Sequence, residues 1–212
     1  MNKPPSPASG DPPDTLGDKL RAAFFLHHQN QLLEASRLYA EVLKADPDQF
    51  DALQYLAAIH IQSGQFDEAE HLFARAIRIN PNLPVLHLNY GSALHALGRF
   101  AEAAASYERA LSLNPLYAQA FYNLANSLSA LEHFDAAVLN YTRAIDLNPA
   151  NADAHYNLGN ALQKLGRFEE AISSYDAVLS MAPDYALAYL NRGNALREMR
   201  RYNEAIADYD KA

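Results

Sequence analysis

ADAHYNLGNALQKLGRFEEAISSYDAVLSMAPDY, residues 152–185, is one copy of a pattern that fills most of this chain. Its proline, Pro183, has counterparts upstream at Pro47, Pro81, Pro115 and Pro149, each 34 residues from the next. A fixed period between about 20 and 50 residues marks stacked identical units rather than one closed core. With the proline at position 32, units start at Leu16, Phe50, Pro84, Ala118, Ala152 and Ala186. Other positions then fall into columns. Position 20 is alanine in every copy, from Ala35 to Ala205. Position 24 is Tyr39, Phe73, Tyr107, Tyr141, Tyr175 and Tyr209, and position 8 is always alanine or glycine.

Each unit holds two apolar stretches of helical period, divided near position 15 by Gly64, Gly98 and Gly166. Glycine just past a helix adopts the left-handed conformation that ends it. Proline closes the second stretch, because it lacks an amide hydrogen and restricts the residue before it. Small residues at positions 8, 20 and 27 let helix axes approach, and the ring at position 24 fills the space beside them. One unit alone could not bury its apolar face; stacking does.

His155-Tyr156-Asn157-Leu158-Gly159, followed by Leu162, Gly166, Ala171, Tyr175, Val178 and Pro183, resembles the tetratricopeptide repeat. The resemblance runs from about Leu16 to the last residue. It implies an all-α fold, a right-handed superhelical solenoid of antiparallel helix pairs with about six repeats, the last incomplete. The departures are mild. Repeat one is loose at Lys19 and Ala22, His60 replaces a large apolar residue, and Arg192 replaces a leucine, which should weaken individual packing contacts.

Composition narrows the function classes. Half the residues are apolar, and there is no cysteine, so neither a disulfide framework nor a thiolate zinc site is available. Apolar runs fall short of the roughly 18 residues a membrane span needs. Residues 1–15 hold five of the eleven prolines and no hydrophobic segment. They read as a disordered leader rather than a signal peptide, and the expected location is cytoplasmic. Pro4-Pro5-Ser6-Pro7 could serve as an SH3-type ligand, but no arginine flanks it. The net charge of −8 argues against nucleic acid. Much of that acidity lies on second helices, including Glu68, Glu102, Glu169, Glu170 and Asp208, and glutamate at position 19 sits in a first turn, where the helix dipole favours it.

On a helical wheel positions 4, 7, 8 and 11 of each first helix share the packing side, and positions 2, 5, 6, 9, 12 and 13 lie opposite. The resemblance implies that the opposite side lines an inner groove. Position 6 reads Asn89, Asn123, Asn157 and Asn191 in four successive repeats; position 9 reads Ser92, Asn126, Asn160 and Asn194. Asparagine is a mediocre helix former, yet its amide offers both a donor and an acceptor to a peptide main chain. These seven, with Tyr122 and Tyr156 at position 5, are the expected peptide-binding residues. Two other readings stay open: copying of a tolerated residue by duplication, and structural bridging between repeats.

The asparagine pairs match the carboxylate clamp of the family's chaperone co-factors, but its cations are missing. Position 5 holds Leu88, Tyr122, Tyr156 and Leu190, so a ligand carboxylate would lack charge-assisted partners. The position-6 ladder instead resembles the repeat arm of protein O-GlcNAc transferases and SPINDLY-type glycosyltransferases. That resemblance implies a groove for substrate peptides and a catalytic region elsewhere, to which nothing in these residues corresponds. The expected function is a protein–protein interaction module for extended peptides; the alternative is the substrate-recruiting arm of such a glycosyltransferase.

No catalytic, cofactor or metal constellation appears. His87 and His155 sit at packing position 4, adjacent His27 and His28 diverge on a helix, and the sequon Asn140-Tyr141-Thr142 falls mid-helix. Repeat six stops at Ala212, in the middle of its second helix, leaving parts of Tyr202, Ala205, Ile206 and Tyr209 without a covering repeat. The expectation is an array that continues past this residue. Oligomeric state is not legible.

Overall fold

The computed structural model describes residues 15–212, which form helices with no strand. Of the expected leader, residues 1–14 lie outside the described residues, and Thr15 is the N-cap of the first helix. The described residues fall into two compact units, 15–98 and 99–212. In the first unit the helices are α1 (Leu16–His28), α2 (Leu32–Ala45), α3 (Phe50–Gln62), α4 (Phe66–Ile79) and α5 (Pro84–Ala96). In the second they are α6 (Phe100–Leu113), α7 (Ala118–Ala130), α8 (Phe134–Leu147), α9 (Ala152–Lys164), α10 (Phe168–Met181), α11 (Ala186–Glu198) and α12 (Tyr202–Tyr209). Within each unit every helix packs on its chain neighbours, and successive first helices also touch: α3 on α5, α7 on α9, α9 on α11.

Helix ends follow from local chemistry. Position 15 has positive φ in all six copies, at Gly64, Gly98 and Gly166 but also at Asn30, Glu132 and Arg200. The next amide then reaches back five residues, as from Gln65 to the His60 oxygen (2.8 Å) and from Arg201 to the Leu196 oxygen (2.9 Å). This is the Schellman closure. In α2, α4, α6, α8 and α10 the C-cap is the residue before proline, and its amide still donates to position 27: Asp46 to Val42, Asn80 to Ala76, Ala182 to Val178. Thr15 and Asp18 form a capping box on α1.

Packing explains the columns. Ala35, Ala69, Ala103, Ala137, Ala171 and Ala205 are buried, as are the rings of Tyr39, Phe73, Tyr107, Tyr141 and Tyr175. A Cβ on Gly159 would lie 2.6 Å from the Tyr175 ring, so the ring occupies the space a side chain would need. Position-4 histidines tie repeats together: His87 Nε2 is 2.8 Å from the Pro81 oxygen, and His155 Nε2 is 3.1 Å from the Pro149 oxygen. Arg192, expected only to weaken packing, is paired. Its guanidinium donates from Nε and Nη2 to both carboxylate oxygens of buried Asp208 (2.7 and 2.6 Å) and from Nη1 to Asp176. At α12, Ile206 is 57% exposed where its counterparts Val138 and Ile172 are 8%.

Candidate functional site

The first-helix face of the second unit carries the asparagines on α7, α9 and α11. Asn157 donates through Nδ2 to the Tyr122 hydroxyl (3.2 Å) and to Asn126 Oδ1 (3.3 Å). One repeat on, Asn191 does the same to Tyr156 (2.9 Å) and Asn160 (2.9 Å). Each position-9 oxygen also accepts from the buried tyrosine of its own repeat: Tyr141 to Asn126 (2.7 Å), Tyr175 to Asn160 (2.8 Å), Tyr209 to Asn194 (3.1 Å). Burial pushes the Tyr141 phenol up to about 12 and raises Tyr175 further, so both remain protonated donors at neutral pH.

The network therefore uses one half of each amide. Asn157 and Asn191 spend their Nδ2 groups, while Asn126, Asn160 and Asn194 spend their oxygens. The other halves, Oδ1 of Asn157 and Asn191 and Nδ2 of Asn126, Asn160 and Asn194, have no partner among the described residues and are not buried. Bridging between repeats and a surface of unused donors and acceptors thus coexist. Tyr122 and Tyr156 are half-buried, with rings 6.1 and 6.0 Å from Tyr141 and Tyr175. Asn123 Oδ1 accepts from Gln119 (2.9 Å), and Asn89 lies on α5 of the first unit.

The first unit has different chemistry at these positions. Phe24 stands at position 9, Tyr55 at position 6, and His27 and His28 at 12 and 13. Their rings cluster: Phe24 lies 4.1 Å from His28 and 5.3 Å from Tyr55, and Tyr39 stacks on Tyr55 at 5.9 Å. Two buried atoms here have no partner, Tyr39 Oη and His27 Nδ1. The tyrosine is orphaned because Phe24 replaces the asparagine that serves Tyr141 and Tyr175. Sequence reading missed this cluster; the mismatch of Phe24 with Tyr39 across positions 9 and 24 was the available signal.

Elsewhere the acidic second helices are largely neutralised. Arg99, Arg167 and Arg201 each grip the glutamate three residues on, Glu102, Glu170 and Glu204, with two bonds of 2.6–2.7 Å. A cleft of about 270 Å³ between α10, α11 and α12 holds Arg192, Asp176, Asp208, Arg201 and Glu204, all already paired. Among the described residues no group of three or more His, Asp or Glu could hold a metal, and no helix is long and apolar enough to cross a membrane.

Comparison with known proteins agrees with the repeat fold. A tetratricopeptide repeat model matches residues 26–90, a TPR repeat model matches 91–132 and 126–166, and a further tetratricopeptide repeat model matches 152–185 and 186–212. No curated protein matched. Among solved structures, the crystal structure of MamA superposes with a TM-score of 0.71 at 27% identity, over 74% of this chain and 91% of that one. A MamA fragment from Desulfovibrio magneticus RS-1 gives 0.72 at 21% identity, covering 75% and 90%. YrrB, described as a TPR protein with an unusual peptide-binding site, gives 0.74 at 24%, covering 82% and 90%; at such identities the likeness concerns the fold. Repeat models account for 26–212, so these residues form a repeat scaffold. The chain belongs to the tetratricopeptide repeat family.

Proposed function

We propose that this protein binds an extended peptide segment along the first-helix face of its repeats, with the asparagine ladder contacting the peptide main chain. The observation that carries this reading is the half-used amide. Asn126, Asn157, Asn160, Asn191 and Asn194 each keep either an oxygen or an NH2 group unpartnered at the surface. A main chain supplies complementary N–H and C=O groups whatever its sequence. The internal bonds fix the side chains beforehand, which lowers the entropy lost on binding. YrrB, a neighbour in fold, is itself described as having a peptide-binding site.

Asn126→Asp with Asn160→Asp separates binding from bridging. Aspartate keeps an oxygen for the tyrosine and for the next repeat's amide but removes the outward NH2. Peptides of 12 residues selected from a random library on the full chain should bind the double variant about tenfold or more weakly, at roughly 1 kcal/mol per lost bond. The urea midpoint should move little. Undiminished affinity, or a selection that yields no binder, would show the network to be purely structural.

The second reading, a substrate-recruiting arm of an O-GlcNAc transferase-like glycosyltransferase, is favoured by the unbroken run of four asparagines at position 6. It assigns the same face to substrate segments, with the chemistry on a longer polypeptide.

A further inference from the structure

The first-helix face of the first unit carries a cluster that would select a peptide side chain of its own. We propose that Phe24, His28, Asp51 and Tyr55, on adjacent faces of α1 and α3, form an anchor for one basic side chain, lysine or arginine, of the bound segment. The inference rests on the peptide-binding reading above and deepens it.

Three features favour a cation. The rings of Phe24 and Tyr55 meet edge to face at 5.3 Å and both are half-buried, so each keeps part of its surface exposed. Asp51 stands one helical turn before Tyr55 on α3, and its carboxylate accepts only from Gln54 (3.2 Å), with no cation paired to it among the described residues. Its negative charge reaches both Tyr55 and Tyr39. His28 Nδ1 lies 2.9 Å from the Phe24 main-chain oxygen. A carbonyl can only accept, so Nδ1 carries the proton in this contact and, in the neutral tautomer, Nε2 is the acceptor.

Neighbouring charges leave the site open to a cation. Arg21, one turn before Phe24, is tied to Asp18, which also serves the Thr15 cap. His27 is held below its ordinary pKa by burial first and by His28 second, so it stays neutral at pH 7. The cluster also forgoes stability. Tyr39 Oη and His27 Nδ1 are buried without partners, whereas the equivalent tyrosines of the second unit are satisfied. A carboxylate beside half-buried rings disfavours anionic side chains and suits the methylene stem and charged head of a lysine.

The test uses the full chain and four 11-residue peptides of one alanine–serine sequence that differ at a central lysine, norleucine, glutamate or proline. Calorimetry should show the lysine peptide binding about tenfold tighter than norleucine, the size expected for a cation–π contact plus one exposed ion pair. Asp51→Asn should reduce that preference severalfold, leaving the part that the rings of Phe24 and Tyr55 supply. Ring resonances of Phe24 and Tyr55 should shift with the lysine peptide in NMR spectra. Norleucine or proline binding as well as lysine, or a lysine preference that Asp51→Asn leaves undiminished, would overturn the anchor while leaving the groove reading intact. Failure of all four peptides to bind would overturn both.

Discussion

At the residue scale, positions 9 and 24 of a repeat are chemically coupled. Tyrosine pairs with asparagine in the last three repeats, Phe73 pairs with Ala58, and only Tyr39 faces a phenylalanine. The coupling predicts opposite outcomes for one chemical change. Tyr175→Phe should cost about 1 kcal/mol, because the bond to Asn160 is lost. Tyr39→Phe removes a buried hydroxyl that is paying desolvation without a bond, so stability should hold or rise. Paired urea denaturation curves decide this, and an equal loss at both sites would mean Tyr39 has a partner in solution. The ladder was readable in the sequence as a column of amides. Which half of each amide is spent was not, because that depends on the distance between helices of adjacent repeats.

At the element scale, helix ends were only partly legible. Glycine announces a left-handed residue, so Gly64, Gly98 and Gly166 were visible in advance. Asn30, Glu132 and Arg200 adopt the same conformation because the stacked helices require it, and no local signal shows that for glutamate or arginine. Arg192 was misread for a similar reason. A leucine position holding arginine looks like weakened packing until Asp208, 16 residues later, is seen to answer it. The bidentate pair ties α11 to α12, and Asp176 links it to α10. Arg192→Leu should therefore cost about 3–5 kcal/mol by stranding a buried carboxylate. Adding Asp208→Ser recreates the Leu158 and Ser174 combination of the preceding repeat and should restore stability to within about 1 kcal/mol. A double variant as weak as the single one would show that the ion pair itself, and not the stranded charge, holds α12.

At the scale of the whole molecule, the fold was legible because stacking repeats one burial pattern, while the surface chemistry that differs between units had to be seen in three dimensions. That surface sets how stability responds to pH. Glu102, Glu170 and Glu204 are held below the ordinary glutamate value chiefly by hydrogen bonds from their arginines, Glu41 by Lys19, and Asp18 by Thr15 and then Arg21. Their contribution is complete above the unfolded-state values of 3.8 for aspartate and 4.5 for glutamate and vanishes as pH falls through the lower folded values. His27 and His95 act at higher pH. Burial lowers both, so the unfolded chain takes up protons from about 6.5 downward that the folded chain refuses. Stability should thus peak above about pH 7, fall through a first step as these imidazoles charge in the unfolded state, and fall again below about pH 4.5. Urea midpoints at pH 7.5, 5.5 and 3.5 resolve the two steps. High salt should blunt the second, because its ion pairs are exposed and screened, and should leave the first, which comes from burial. A midpoint unchanged between pH 7.5 and 5.5 would mean that His27 and His95 charge as freely in the folded chain as in the unfolded one.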